Sequence, residues 1–197
     1  MRPWIAFFSQ TGTEINDICK ALEIYPDGII TNRHKTDGIN KELFSTTTFR
    51  EHKLNRTIWY LLPGRPSIES YENILSQYNN PVITLHGYLR IIPKEICSKY
   101  EIYNLHPGLI NKYPSLKGFN PQERAFKENY KHAGCVIHKV IPEVDEGEIL
   151  MSQGVDIQQC TLDDVYKKLR VVALDLWISF FKAYKILDND IDKLQLQ

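Results

Sequence analysis

The chain has 197 residues, with 24 basic and 24 acidic side chains and a formal net charge of zero. A chain of this length can bury the core of one domain without disulfides or metal. Balanced charge provides no general attraction for nucleic acid or an anionic membrane, and no apolar run has the length of a membrane span or a signal peptide. We therefore expect a cytoplasmic protein with small-molecule partners, without nucleic-acid or membrane partners.

The four cysteines are widely separated, at Cys19, Cys97, Cys135 and Cys160. No two of them have the C-x-x-C spacing of a zinc site or a redox motif. Free cysteine often behaves as a small buried hydrophobic residue. We therefore predict that these side chains are reduced, mostly buried and not bound to metal.

Apolar runs of strand length alternate with helical patterns in the first part of the chain. The predicted strands cover residues 3–8, 28–31, 57–62, 81–85 and 102–105, and the helices between them include residues 68–75 and 93–99. After the first strand, Ile15, Ile18 and Cys19 lie on one helix face, and Thr11 or Thr13 is the predicted cap. Alternation of this kind predicts a largely parallel, Rossmann-like sheet.

The pattern changes in the last third of the chain. Residues 134–140 and 149–155 are strand-like and separated by a short turn, which predicts an antiparallel pair. A final helix follows, with apolar residues on one stripe at Val165, Leu169, Val172, Leu176, Phe180 and Tyr184. The predicted fold class is α/β: a mostly parallel twisted sheet with an antiparallel C-terminal part and a long C-terminal helix, forming a single catalytic domain over residues 1–197.

Three polar residues suggest acyl-transfer chemistry. Asn104 and His106 stand two residues apart at the end of an apolar strand, just before a Pro-Gly turn, and Asp145 lies on a later Gly-containing turn. An amide and an imidazole can polarise one carbonyl, and a carboxylate can orient the imidazole and move a proton. The structural alternative is that Asn104 and Asp145 are ordinary turn residues.

Two loops follow strands at positions where open α/β sheets bind ligands. The first contains Ser9, Gln10, Thr11, Gly12 and Thr13 and is followed by Glu14. The second contains Arg65, a cation able to bind an acceptor's phosphate. Either loop could equally serve only as a connection, and Arg65 as part of a solvated turn.

Several of these segments, in this order, resemble the 10-formyltetrahydrofolate-dependent formyltransferase family typified by phosphoribosylglycinamide formyltransferase. The resemblance rests on the loop at residues 9–13 and on residues 85–92, 104–107, 112–116 and 144–147. It implies that Asn104, His106 and Asp145 are catalytic. It also implies folate contacts at Leu89, Arg90, Ile91, Ile92, Ile141 and Val144. Acceptor contacts are then expected from residues 9–14.

The resemblance further implies 10-formyltetrahydrofolate as the formyl-donating co-substrate and a small, phosphorylated amine as the acceptor. Glycinamide ribonucleotide is the leading acceptor, although Glu14 stands where the enzymes that use it usually carry an asparagine that holds the phosphate. Residues 105–108 and 118–122 are also similar to nucleotide-sugar N-formyltransferases. An amino-sugar nucleotide or other nucleotide amine as acceptor, a 10-formyltetrahydrofolate hydrolase, and a binding module without turnover therefore stay open, as does a homodimer.

Overall fold

The computed structural model describes residues 2–34, 38–48 and 57–184. Within these residues, strands and helices follow one another in the order β1 (Trp4–Phe8), α1 (Thr13–Leu22), β2 (Gly28–Thr31), α2 (Lys41–Thr48), β3 (Ile58–Leu61), α3 (Ile68–Leu75), β4 (Val82–Leu85), α4 (Lys94–Lys99), β5 (Glu101–His106), a short 3-10 helix (Pro114–Leu116), α5 (Pro121–Lys127), β6 (His132–Lys139), β7 (Ile149–Asp156) and α6 (Leu162–Ala183). No helix in these ranges is both long enough and apolar enough to cross a membrane.

All seven strands belong to one sheet, in the order β3-β2-β1-β4-β5-β6-β7. Strands β1 to β5 pair in parallel, whereas β6 and β7 are antiparallel to their neighbours. The predicted fold class, with its parallel first part, antiparallel end and long last helix, is confirmed. Because β1 lies between β2 and β4, the strand order reverses at β1, and the loops that follow β1 and β4 border the position where open α/β sheets bind ligands.

Both faces of the sheet are covered by helices. Side chains alternate along β1, so that Ile5 and Phe7 pack with residues of α3 and α4, while Trp4, Ala6 and Phe8 pack with residues of α1 and α6. All five residues of β1 are buried, as expected for a parallel strand with helices on both sides. This central strand therefore provides a rigid base for the loop that follows it.

Helix α1 begins differently from its prediction. Its cap position is Gly12, which has a φ of 71° and makes no side-chain capping bond. The hydroxyl of Thr11 instead accepts a hydrogen bond from the backbone N–H of Thr13, at 3.2 Å. Capping by Thr11 or Thr13 is therefore wrong, because the chain enters the helix through a left-handed residue. A Cβ at Gly12 would also lie 2.6 Å from Leu43 Cδ2, so both the backbone and the packing require glycine.

Helix α6 matches its prediction closely. The hydroxyl of Thr161 accepts from the Asp164 backbone N–H at 3.2 Å, and the Asp164 carboxylate accepts from the Thr161 N–H at 3.0 Å. This capping box fixes the start of a 22-residue helix. The predicted apolar stripe is buried from Val165 to Phe180. The helix thereby lies across the α1 side of the sheet, where its residues reach the ligand-binding edge.

Candidate active site

A cavity of about 680 Å³ opens beside the carboxyl ends of β1, β4 and β5. Most of the residues that the sequence predicts for the site line it: Gln10, Thr11, Gly12, Thr13, Glu14, Leu89, Arg90, Ile91, Asn104, His106, Val144 and Asp145. The structure therefore brings together, in one cavity, the loop after β1, the segment after β4 and the catalytic residues that the sequence singles out separately.

Four predicted residues lie outside the lining of this cavity. The hydroxyl of Ser9 accepts from the Leu89 backbone N–H at 2.9 Å, so Ser9 supports the loop that follows β4. Ile92 is a core residue with 4% exposure. Ile141 and the exposed Arg65 line neither this cavity nor a smaller one of about 340 Å³ next to it. Their roles stay predictions without a contact to the cavity.

The backbone next to Arg65 contacts a residue of the cavity, although the Arg65 side chain does not line it. The Gly64 carbonyl accepts a hydrogen bond from Nε of Arg90, at 2.6 Å. Another guanidinium N–H of Arg90 donates to the Leu89 carbonyl, at 3.0 Å. The loop after β3 therefore orients Arg90 through a carbonyl, and the cation that reaches the cavity from this side is Arg90.

Asn104 and His106 point to the same side of β5 because side chains alternate along a strand. Asn104 is paired with His138 across the antiparallel ladder. Its Nδ2 donates to Nε2 of His138 at 3.2 Å, while Nδ1 of His138 donates to the Lys139 carbonyl at 3.0 Å. These contacts fit a His138 that carries its proton on Nδ1. The amide of Asn104 has two N–H groups, so the contact with His138 uses one and leaves the other for a ligand.

Asp145 lies at the centre of the polar cluster. Its φ of 56° places it in a left-handed turn. Its Oδ2 accepts from the Gly118 N–H at 2.9 Å and lies 3.3 Å from Nδ1 of His106, while Oδ1 lies 3.5 Å from Nε2 of His138. The side chain is only 9% exposed. The structure thus joins the amide, the imidazole and the carboxylate that the sequence analysis proposes, through a second imidazole.

The protonation of His106 is set by opposing influences. Nε2 lies 2.8 Å from the Leu116 carbonyl oxygen, which can only accept, so Nε2 carries a proton. Burial lowers the pKa of His106 below its usual value, although the Asp145 charge and the Leu116 carbonyl oppose this. Polarisation of a carbonyl by His106, which the sequence predicts, requires donation from one of its ring N–H groups. In the structure, the Nε2 proton already has Leu116 as its acceptor, so such a donation requires an exchange of partner.

Asp145 remains ionised at neutral pH. Burial raises the pKa of its carboxyl group, but His138, His106 and the Gly118 N–H together bring that pKa below its usual value. An ionised carboxylate in this position can accept a proton from a neighbouring ligand.

Exposed apolar side chains surround the mouth of the cavity. Leu89, Ile91, Phe119 and Val144 are 53%, 75%, 86% and 56% exposed, respectively. Large apolar side chains exposed together at a concave site are typical of ligand binding. Phe119 was not predicted as a site residue. No three His, Cys, Asp or Glu side chains in the described ranges are grouped as metal ligands.

The sequence analysis also missed two residues beside Glu14. Nδ1 of the buried His86 lies 2.8 Å from Oε1 of Glu14, and the indole N–H of Trp177 donates to the same oxygen. His86 directly follows β4, which is the one signal that could have identified it. Trp177 lies on α6, and its ring is fully buried. Its contact with Glu14 joins residues 163 positions apart, which no local pattern shows.

Comparison with known proteins agrees with this geometry. Residues 4–179 match the profile of the Formyl transferase family. A phosphoribosylglycinamide formyltransferase from Dictyostelium discoideum is 36% identical over 169 residues, which are 76% of this chain and 81% of that protein. A methionyl-tRNA formyltransferase from Caldicellulosiruptor saccharolyticus is 29% identical over 78% of this chain, and the chain spans only 50% of that protein.

A solved structure has a similar fold. The phosphoribosylglycinamide formyltransferase from Anaplasma phagocytophilum superposes with a TM-score of 0.74 and 23% identity, over 90% of this chain and 84% of that one. At this identity the likeness concerns the fold, and it agrees with the sheet and the last helix described above. The family profile covers most of the chain, and the resemblance found in the sequence is confirmed. The chain belongs to the Formyl transferase family.

Proposed function

We propose that this protein transfers the formyl group of 10-formyltetrahydrofolate to the primary amine of a small substrate, with glycinamide ribonucleotide as the leading acceptor. The observation that carries the proposal is the convergence of Asn104, His106 and Asp145 in one cavity with an apolar mouth. Side chains such as Ile91 and Val144 suit a flat, largely apolar donor, and Arg90 adds a cation. The relatives named phosphoribosylglycinamide formyltransferase favour this acceptor over an amino-sugar nucleotide and over water.

The amine attacks the formyl carbon, a new carbon–nitrogen bond forms, and negative charge develops on the formyl oxygen. The N–H of Asn104 that is not used by His138 can donate to this oxyanion. A donor fixed in advance by a strand needs no reorganisation when the charge appears, which makes such a contact effective. His138, buried and bound to the Lys139 carbonyl, holds the amide in place.

The attacking nitrogen then loses a proton, and N10 of the folate gains one as its bond to carbon breaks. Asp145 is the proton acceptor in this scheme because its carboxylate is ionised and lies in the lining of the cavity. Nδ1 of His106, 3.3 Å from Oδ2 of the carboxylate, can take up the proton that Asp145 has accepted and pass it onward. No covalent intermediate with the protein is required.

Domain extent, cellular location and oligomeric state are further predictions that accompany this proposal. The family profile matches residues 4–179, and the assignment of residues 1–197 to one catalytic domain stays a prediction. The same is true of a cytoplasmic location and of a homodimer. Participation in purine biosynthesis follows if glycinamide ribonucleotide is the acceptor.

A screen of primary amines with 10-formyltetrahydrofolate tests the proposal, with release of tetrahydrofolate and formylation of the amine as separate readouts. The expected result is folate release that depends on glycinamide ribonucleotide. Release at the same rate without any amine would identify a hydrolase. Folate binding without release under every condition would identify a binding module, and either result would refute the transferase proposal.

A further inference from the structure

Two N–H donors hold Glu14 in the wall of the cavity. His86 and Trp177 both donate to Oε1 of Glu14, and the side chain of His86 is completely buried, whereas that of Glu14 is 30% exposed. In the part of the chain that the structure describes, no residue donates to Oε2 of Glu14. One oxygen of this cavity-lining carboxylate is therefore fixed by the protein, and the other can meet a ligand.

The contacts behind His86 determine where its proton lies. The indole N–H of Trp4 donates to the Thr84 hydroxyl at 2.7 Å, and this hydroxyl lies 2.7 Å from Nε2 of His86. Because an indole can only donate, the Thr84 hydroxyl accepts from Trp4 and has its own proton for Nε2. His86 then carries its proton on Nδ1, which faces Glu14. In this arrangement each group from Trp4 to Glu14 has a hydrogen-bond partner, and Nδ1 of His86 donates to the carboxylate.

The other charges at this end of the cavity do not attract an anion strongly. Asp17, one turn further along α1, also lines the cavity, and its Oδ2 lies 2.7 Å from Nη2 of Arg170. Asp17 therefore offsets the charge of Arg170, whereas the partners of Glu14 are an imidazole and an indole. A phosphate within about 4 Å of an uncompensated carboxylate binds at least roughly fivefold more weakly, even in water. A hydroxyl group, in contrast, donates to a carboxylate and forms one of the stronger hydrogen bonds.

We propose that Glu14, held by His86 and Trp177, binds the hydroxyl groups of the acceptor's sugar, and that a phosphate on the acceptor lies away from Glu14. The inference rests on the proposed function, because it assigns Glu14 a part in binding the amine substrate. The reacting amine has to lie beside Asn104 and Asp145, so the group that meets Glu14 belongs to the body of the acceptor. In glycinamide ribonucleotide, the ribose hydroxyls are donors of the required kind.

The test is a thermodynamic cycle in which Glu14 is changed in the protein and the sugar hydroxyls are removed from the ligand. Wild type and Glu14→Gln are compared for binding of glycinamide ribonucleotide and of its 2′,3′-dideoxy analogue, by calorimetry without any formyl donor. Loss of a hydrogen bond to a charged group corresponds to about 10- to 100-fold in affinity. We expect Glu14→Gln to weaken binding of glycinamide ribonucleotide by this factor and binding of the dideoxy analogue by much less, since interacting groups are not additive.

A third ligand, the riboside that lacks the phosphate, tests whether Glu14 faces the phosphate instead of the sugar hydroxyls. If Glu14→Gln tightens binding of the ribonucleotide and leaves binding of the riboside unchanged, Glu14 faces the phosphate and the inference is overturned. The inference is also overturned if Glu14→Gln loses the same factor in affinity for glycinamide ribonucleotide and for its dideoxy analogue. It is likewise overturned if the wild-type protein binds neither the ribonucleotide nor the riboside. These are binding results, so they are distinct from failure of the transferase proposal, which is judged by amine-dependent folate release with any acceptor.

His86 acts through Glu14, and two variants separate positioning from folding. His86→Leu removes the donor to Glu14, whereas His86→Asn places an amide N–H near the position of Nδ1. We expect His86→Leu to raise the acceptor KM as Glu14→Gln does, with kcat little changed, and His86→Asn to restore most of the loss. The matched control is Glu23→Gln, which removes an exposed carboxylate at the C-terminal end of the same helix, outside the cavity lining, and should change acceptor affinity by less than about fivefold. Equal acceptor KM in both His86 variants and wild type would remove His86 from this role.

Discussion

Two carboxylate–imidazole pairs line the same cavity, and they are built differently. Asp145 is 9% exposed and has an N–H or imidazole neighbour at each oxygen: Gly118 and His106 at Oδ2, and His138 at Oδ1. Glu14 is 30% exposed, and among the described residues its hydrogen-bond partners, His86 and Trp177, both lie at one oxygen. The first pair is enclosed by its own protein partners, whereas the second leaves an oxygen for something that the protein does not supply.

Under the proposed function, the difference between the two carboxylates separates chemistry from recognition of the acceptor. Asp145 and its two imidazoles lie beside the antiparallel strands β5 and β6, where residues 104–107 and 144–147 resemble the family closely. Glu14 and His86 lie beside the parallel strands β1 and β4, where Glu14 departs from the glycinamide ribonucleotide enzymes. A shared reaction with a distinct manner of holding the acceptor accounts for both observations.

The largest expected effect distinguishes the two carboxylates directly. Asp145→Asn removes the proton acceptor and should lower kcat by ~10²- to 10⁴-fold, the usual contribution of general acid–base catalysis. Glu14→Gln should act mainly on the acceptor KM, with kcat changed by less than about tenfold. Steady-state kinetics with both substrates varied measures the two effects, and folate binding to Asp145→Asn serves as the control for folding. Near-normal kcat in Asp145→Asn would remove this carboxylate from the mechanism.

The sequence predicted the first pair and only half of the second for physical reasons. Asn104 and His106 are two residues apart on a strand whose apolar pattern is clear, so their common side follows from local periodicity. Asp145 lies on a distant turn, and it was joined to them only by the resemblance of residues 144–147 to the family. The contact between Glu14 and His86 spans 72 residues and exists because β1 and β4 pair in parallel. Glu14 could be placed in the first loop, but its partner depends on strand order, which hydrophobic periodicity does not determine.

Two helices were also missed, for different reasons. Helix α2, at Lys41–Thr48, ends in three threonines, whose branched side chains have low helix propensity, and it shows no long apolar repeat. Helix α5 is a single short segment with Pro121 in its first turn, a recognised start signal. Its brevity hid the periodicity, although Pro121 itself could have indicated it.

The next expected effect concerns binding of the formyl donor, which should not depend on Asp145 or Glu14. Ile91, 75% exposed at the mouth of the cavity, loses contact with water when a flat donor binds beside it. Ile91→Ala removes three carbon atoms, so at ~0.8 kcal/mol per buried CH₂ and partial burial we expect the donor KM to rise roughly tenfold. Acceptor KM should stay unchanged. The matched control is Ile58→Ala, a 50% exposed isoleucine on the edge strand β3, outside the cavity lining. A donor KM that is the same in Ile91→Ala as in wild type would place the donor elsewhere.

The smallest expected effect concerns the charge of His106 and is measured as a change in the free energy of unfolding with pH. Burial lowers the pKa of His106 in the folded protein below the 6.5 of a free histidine, so between these two values the unfolded chain binds the extra proton. The contribution of His106 to the free energy of unfolding is therefore complete above pH 6.5 and decreases as the pH falls toward the folded-state pKa. Urea unfolding of wild type and His106→Asn at pH 7.5 and 5.5 isolates this residue, since other groups cancel in the difference. We expect the stability gap between the two proteins to narrow at the lower pH. A gap that widens instead would mean that Asp145 outweighs burial and holds His106 as an imidazolium, in which case the first pair is a true ion pair and His106 begins the reaction with a second proton already in place.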